Sequence, residues 1–262
     1  MSARTRLSLV LWVAGFGGAV SFLFIDFETL IALLPDPIRT GAPHFTPLLK
    51  LLSLVQPAVF IALAVLAVHF LAPKVGLTAP AAEAWAQGRP VLPALRPQWL
   101  PGLLGGLAGG AAIVLLAAVL TPLLPPGAAE RISAFGRIMP LPTRLLYGGV
   151  TEEVLLRWGL MSLLVWACWR AFLPRHGRAP ASCYHAAIFL SALIFGAGHL
   201  PVAFLLVPQP NAALVAFVIL ANGVFGLVAG YLYWRRGLES AVIAHMIAHV
   251  VLYSASRLGA YF

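Results

Sequence analysis

Seven apolar stretches recur along these 262 residues, each close to the roughly 20 residues that a helix needs to cross the hydrocarbon core of a bilayer. They run over 7–25, 48–71, 100–124, 143–173, 184–207, 213–234 and 238–253. Lipid offers a backbone N–H or C=O no partner, so such stretches must satisfy their own hydrogen bonds as helices. The expected fold is all-α, a polytopic transmembrane helical bundle of about seven spans, or eight if the long fourth stretch is interrupted. That stretch exceeds what a span needs, so it is expected to tilt or to follow an interfacial turn. Composition agrees: 61% of residues are hydrophobic and 10% charged, where soluble domains hold about 45–50% and about 25%. The segment 72–98, rich in Pro and Ala with little periodicity, reads as a surface linker. Residues 1–262 then form a single integral membrane domain.

The net charge of +9 does not indicate a nucleic-acid partner, because the 17 basic residues lie mostly between the apolar stretches. There they set orientation. With the N-terminus in the cytoplasm, Arg4, Arg6, Lys74, Arg89, Arg96, Arg170, Arg175, Arg178, Arg235 and Arg236 fall on the inner side. Arg39, Lys50, Arg131, Arg137, Arg144 and Arg257 fall outside. Ten against six favours that orientation. The apolar start behind Arg4 and Arg6 lacks a convincing small-residue cleavage site, so it reads as a retained span. Cys168 and Cys183 stand singly, one on an apolar run and one at a loop edge, and imply neither a disulfide nor a metal site.

Three spans carry residues that lipid does not tolerate without cause: Glu152, Glu153 and Arg157; His199 behind Phe195-Gly196-Ala197-Gly198; and His245 with His249. A charge at the centre of a membrane helix costs about 2.5–3.5 kcal/mol on insertion scales, so such groups face a bundle interior. On a helix Glu153 and Arg157 share a face one turn apart and can pair. Glu152 points about 100° away and is free to act as a general base toward water. Gly196 and Gly198 permit close approach of another helix or a substrate. His245 and His249, at i and i+4, are either half a metal site or two donors aimed at one point. No His-Glu-x-x-His occurs, so a zincin is not supported.

Other polar residues read as structural. Asp26 and Glu28 end the first span in headgroup water, and Asn222 in the sixth bonds between helices or orients a neighbour. His185 opens the fifth span, and His44, His69 and His176 fall in loops or span ends. Trp85, Trp99 and Trp234 suit an interfacial aromatic belt.

Glu-Glu-x-x-x-Arg, then Phe-x-x-x-His, then His four residues before a polar residue, in that order on successive spans, resembles the CPBP intramembrane proteases. These include the CAAX prenyl endopeptidases and the bacterial immunity-type proteases, also called intramembrane glutamic endopeptidases. Gly223 to Ser240 is similar to the family's run before its last motif, and the likeness covers a core of 141–253.

The resemblance implies peptide-bond hydrolysis without a cofactor. In it Glu152, assisted by His199, would activate water, and His245 with the residue at 249 would stabilise the oxyanion. Glu153 and Arg157 would hold the geometry. The family usually has Asn where this chain has His249. His199, His245, His249 and Glu152 would equally suit zinc, which is the alternative to a metal-free site. The implied partners are the lipid bilayer and a peptide or lipidated protein substrate, with a bacterial inner membrane as location. A proton-coupled or small-solute transporter also uses intramembrane Glu, Arg and His. No repeated halves are visible to support it. An inactive scaffold or immunity protein of the same family is the third reading.

Overall fold

The computed structural model describes residues 1–172 and 177–259, apart from the side chains of Pro37, Ala72 and Pro73. Leu173, where the fourth expected span ends, lies outside these, as do Arg175 and His176. Among the described residues there is no strand. Seven helical segments are long and apolar enough to cross a membrane: Ala3–Phe24, Pro47–Leu71, Val91–Leu123, Leu141–Phe172, Ala181–Leu206, Ala212–Arg236 and Leu238–Arg257. The protein is thus an all-α bundle. Its helices here are α1 (Ala3–Val20), α2 (Val55–Val75), α3 (Pro80–Ala86), α4 (Val91–Leu120), α5 (Ala128–Ile138), α6 (Leu141–Phe172), α7 (Ala181–Gly198), α8 (Leu200–Leu206), α9 (Ala212–Arg236) and α10 (Leu238–Arg257). Outward-facing Leu9, Leu63, Phe70, Leu115, Val119 and Phe189 form part of an apolar exterior suited to lipid.

Helices in lipid gain little from hiding apolar surface from one another, so they associate through close backbone packing and polar contacts. Gly102, Gly106 and Gly110 form one such seam. They lie four residues apart on one face of α4 and receive α10. A Cβ at Gly106 would lie 2.5 Å from the Ala244 carbonyl, and one at Gly110 2.8 Å from Val251 Cβ. On the other side Gly196 of α7 meets the Ile219 backbone of α9, where a Cβ would fall 2.7 Å from the carbonyl oxygen. The third seam is polar. Thr151 Oγ1 donates to the Gly15 carbonyl at 2.6 Å and Thr143 Oγ1 to the Ser21 carbonyl at 2.8 Å, fixing α6 to α1. The N-terminal spans therefore do more than cross the membrane: they hold the glutamate-bearing helix.

Segment 72–98 is not a surface linker. It contains α3 and the first turns of α4, and Ala79, Ala81, Ala84 and Gln98 are buried. Pro80 suits a helix start because its missing N–H is needed by no carbonyl there. The next two amides, of Ala81 and Ala82, both donate to Glu239 Oε1 at 2.9 Å. Leu238 N donates to the Thr78 carbonyl and Ser240 N to Gln98 Oε1, both at 3.0 Å. These bonds lock the α9–α10 turn to this segment. Alanine leaves no periodic signal, and its small size permits the tight fit.

Two of the basic residues expected on opposite sides lie at different ends of the bundle. Arg4, Gly76 and Glu83 line one cavity of about 310 Å³ at the end where α3 meets the α9–α10 turn. At the other end Arg131 donates to the Leu33 carbonyl and Asn211 to the Leu123 carbonyl. The interfacial turn expected before the fourth span is the amphipathic helix α5. Asp26 caps the short helix Phe27–Ala32, and its hydrogen bonds with Thr29 hold its carboxyl below the usual range. The two cysteines, which looked unrelated, meet: their sulfurs lie 2.6 Å apart between α6 and α7.

Candidate active site

The glutamate-bearing helix is not wound as an ordinary α-helix. Residues Arg144–Glu152 and Val154–Met161 adopt π-helical winding with i→i+5 bonds, before α-winding resumes at Ser162. Such winding is rare and is concentrated at functional sites. It widens the turn, so neighbouring side chains diverge less than on an α-helix. The consequence is direct. Glu152 does not turn away from its neighbour's partner: both carboxylates address His245.

His245 Nδ1 lies 2.7 Å from Glu153 Oε1, and its Nε2 lies 3.8 Å from Glu152 Oε2. A carboxylate only accepts, so Nδ1 is the donor in the first contact. Glu153 and Arg157 are completely buried and meet at 3.2 Å, Nε to Oε2, as the one-turn spacing requires. The Arg157 N–H is not aimed along that line, and neither atom has a hydrogen-bond partner among the described residues. The contact is thus an ion pair held by charge. Arg157 also donates through Nη2 to the Gly226 carbonyl at 3.2 Å and lies 5.1 Å from the Phe195 ring centroid.

Glu152 is the exposed member of the pair, with 19% of its side chain accessible and no hydrogen bond among the described residues. Its Oε2 can therefore take a water. A proton placed between it and His245 Nε2 gives either a carboxylate beside an imidazolium or a carboxylic acid beside an imidazole.

His199 closes α7 and opens α8. Its Nδ1 donates to the Phe195 carbonyl at 2.8 Å, which leaves Nε2 as the basic nitrogen of the neutral ring. Phe195 joins the site together. Its ring stands edge-on to His199 at 4.9 Å and to His245 at 5.9 Å, and it also receives the Arg157 cation. His199 makes no ion pair or hydrogen bond to either glutamate among the described residues. Gly196 gives the expected close helix approach, whereas Gly198 faces open space.

His249 stacks on His245 with centroids 4.9 Å apart and planes at 14°. Its ring fills the space that a side chain at Gly148 would occupy: a Cβ there would lie 2.3 Å from Nε2. Its Nδ1 is buried with no hydrogen-bond partner among the described residues. A buried, unsatisfied ring nitrogen is costly unless something arrives to meet it. Among the described residues no three His, Cys, Asp or Glu side chains are grouped to hold a metal ion.

Several residues of this site were not singled out in the sequence. Tyr147, whose ring lies tilted at 30° to Phe22 with centroids 4.2 Å apart, is within electrostatic reach of Glu152. Arg144, read only as a topological charge, bonds the Met139 and Gly136 carbonyls and faces His249 at the rim. Gly148 and Gly149, directly before Thr151 and the glutamates, were the available signal, because adjacent glycines in a membrane helix invite close contact. Among the described residues Asn222 makes no hydrogen bond to another helix. Its Nδ2 donates to the Val218 carbonyl of its own helix at 2.8 Å.

By fold and site this is a polytopic membrane protein that gathers two carboxylates, a guanidinium and three imidazoles between its helices. Residues 135–251 match the family model described as type II CAAX prenyl endopeptidase Rce1-like, and that segment holds all of the candidate site residues. Over this segment the chain is similar to that CAAX protease family, in agreement with the resemblance of its three ordered motifs. No curated protein and no solved structure matches the chain.

Proposed function

We propose that the protein is an intramembrane endopeptidase that cleaves a membrane-associated or C-terminal-tail peptide with a glutamate-activated water. The supporting observation is the convergence of Glu152 and Glu153 on His245, inside the segment that matches the protease family. Glu152 receives a proton from water as the oxygen attacks the scissile carbonyl, with His199 Nε2 as the assisting base. The carbonyl electrons move onto oxygen. His245 and His249 donate to that oxyanion, the second through the nitrogen that otherwise has no partner. When the intermediate collapses, the C–N bond breaks and the proton on Glu152 passes to the departing amine. Glu153 and Arg157 are positioning residues that fix the His245 ring. No step uses a metal. Under the N-in orientation the glutamates lie in the outer half of the membrane, which favours a lipidated or sorting-signal peptide over a cytoplasmic prenylated tail.

The test is peptide release by purified protein, wild type beside Glu152→Gln and His199→Ala, with and without a strong zinc chelator. Loss of cleavage in both folded variants, with wild-type activity indifferent to chelator, is the expected result. Normal cleavage by both variants overturns the mechanism, and a chelator effect reversed by zinc replaces it with a metal-dependent one.

A further inference from the structure

We propose that Cys168 and Cys183 form a redox-active dithiol whose disulfide ties α6 to α7, a covalent modification site separate from the peptidase centre. The sulfurs lie 2.6 Å apart, about half an ångström beyond a disulfide's bond length of ~2.05 Å. Only a small adjustment separates the two thiols from a bond. The chain contains two cysteines and no others, so neither has a competing partner within the molecule.

The surroundings hold the pair in register. Next to Cys183, the Tyr184 hydroxyl donates to the Val75 carbonyl of α2, and its ring stacks on Trp234 of α9 at 5.0 Å. Cys183 itself is fully buried, whereas Cys168 is only partly covered. That asymmetry assigns the order of events. A low-molecular-weight disulfide can reach Cys168, whose thiolate attacks it, forms a mixed disulfide and releases one small thiol. Cys183 then attacks the Cys168 sulfur and expels the second small thiol. Two protons leave the cysteines, and the small disulfide accepts the two electrons to become two thiols. Fifteen residues separate the cysteines, so the bond would close a short ring between the helix that carries Glu152 and the helix that ends at His199. Reducing compartments would keep the pair open and oxidising ones would close it.

The experiment uses full-length protein in detergent, incubated with excess oxidised glutathione or with a reductant, then denatured, alkylated and weighed intact. The oxidised sample should take no label and weigh two hydrogens less than the reduced chain, which should take two labels. The oxidised chain should also melt roughly 5–10 °C higher. Cys183→Ser treated alike should retain glutathione at Cys168 and show no such rise. Two labels on the oxidised wild type, a stable glutathione adduct on it, disulfide-linked dimers, or an unchanged melting point would each overturn the proposal. None of these readouts involves peptide cleavage, so the outcome is independent of the peptidase assignment.

Discussion

His245 donates from Nδ1 to Glu153 at 2.7 Å while its Nε2 stands 3.8 Å from Glu152, so one imidazole ring meets two adjacent carboxylates that differ in environment. Glu153 is sealed against Arg157, whereas Glu152 is open enough to meet water. This difference separates the consequences of two chemically identical substitutions. Glu153→Gln leaves a buried guanidinium without its counter-charge, and breaking one side of a buried pair costs about 3–5 kcal/mol. Glu152→Gln removes no hydrogen bond among the described residues and only the long 3.8 Å approach to His245 Nε2, and should alter stability by less than about 1 kcal/mol. Thermal unfolding in detergent beside peptide cleavage checks this. Glu152→Gln should be stable and inactive, Glu153→Gln unstable, and equal melting points would contradict the assignment.

The contact of His249 with Gly148 makes a second, sharper comparison. If His249 acts as a hydrogen-bond donor to the oxyanion, an amide should replace it. His249→Asn should stay within about tenfold of wild-type turnover, and His249→Ala should lose about 10²–10³-fold in kcat, the usual effect of deleting one such donor. Gly148→Ala should resemble His249→Ala, because its methyl would lie 2.3 Å from Nε2 and displace the ring. Gly198→Ala meets nothing within 4 Å and serves as the control. Steady-state kinetics on the four variants decides the matter. An active His249→Ala would remove His249 from the chemistry.

The sequence shows these elements to very different extents, for physical reasons. Seven spans are visible because lipid allows an isolated segment only one backbone solution. The Glu153–Arg157 pair is visible because their spacing places them on one helical face. The joint approach of Glu152 and Glu153 to His245 is not visible. It depends on π-winding from Arg144 to Met161, and no local residue pattern distinguishes that from an α-helix. Nor does 72–98 betray its packing, since Ala79, Ala81 and Ala84 are recruited by a turn more than 150 residues later through Glu239. Gly102, Gly106 and Gly110 can be read as a seam, but nothing near them names α10 as the partner.

That seam carries a stability prediction. A valine at Gly106 would place its first side-chain carbon 2.5 Å from the Ala244 carbonyl, next to His245. Neither backbone can yield without disturbing the other, and overpacking of this kind costs about 1–3 kcal/mol. Gly106→Val should therefore lower the melting temperature and reduce cleavage together. Gly17→Val, on a helix face with nothing within 4 Å, should leave both unchanged. Unchanged melting in Gly106→Val would mean that α4 and α10 are not in backbone contact.

The excess of basic residues in the loops expected on the inner side predicts an N-terminus in the cytoplasm. Arg89 and Glu130 are exposed and lie on opposite sides of the α4 span, in the segments just before and after it. Single cysteines at these sites, in a chain whose Cys168 and Cys183 are replaced by serine, can be labelled in intact cells with a membrane-impermeant maleimide. With the N-terminus inside, Glu130→Cys should react at once and Arg89→Cys only after the membrane is opened. The reverse pattern would invert the bundle and move the glutamates to the inner half. A prenylated cytoplasmic tail would then become the better substrate, because the site would lie nearer the leaflet in which such tails are anchored.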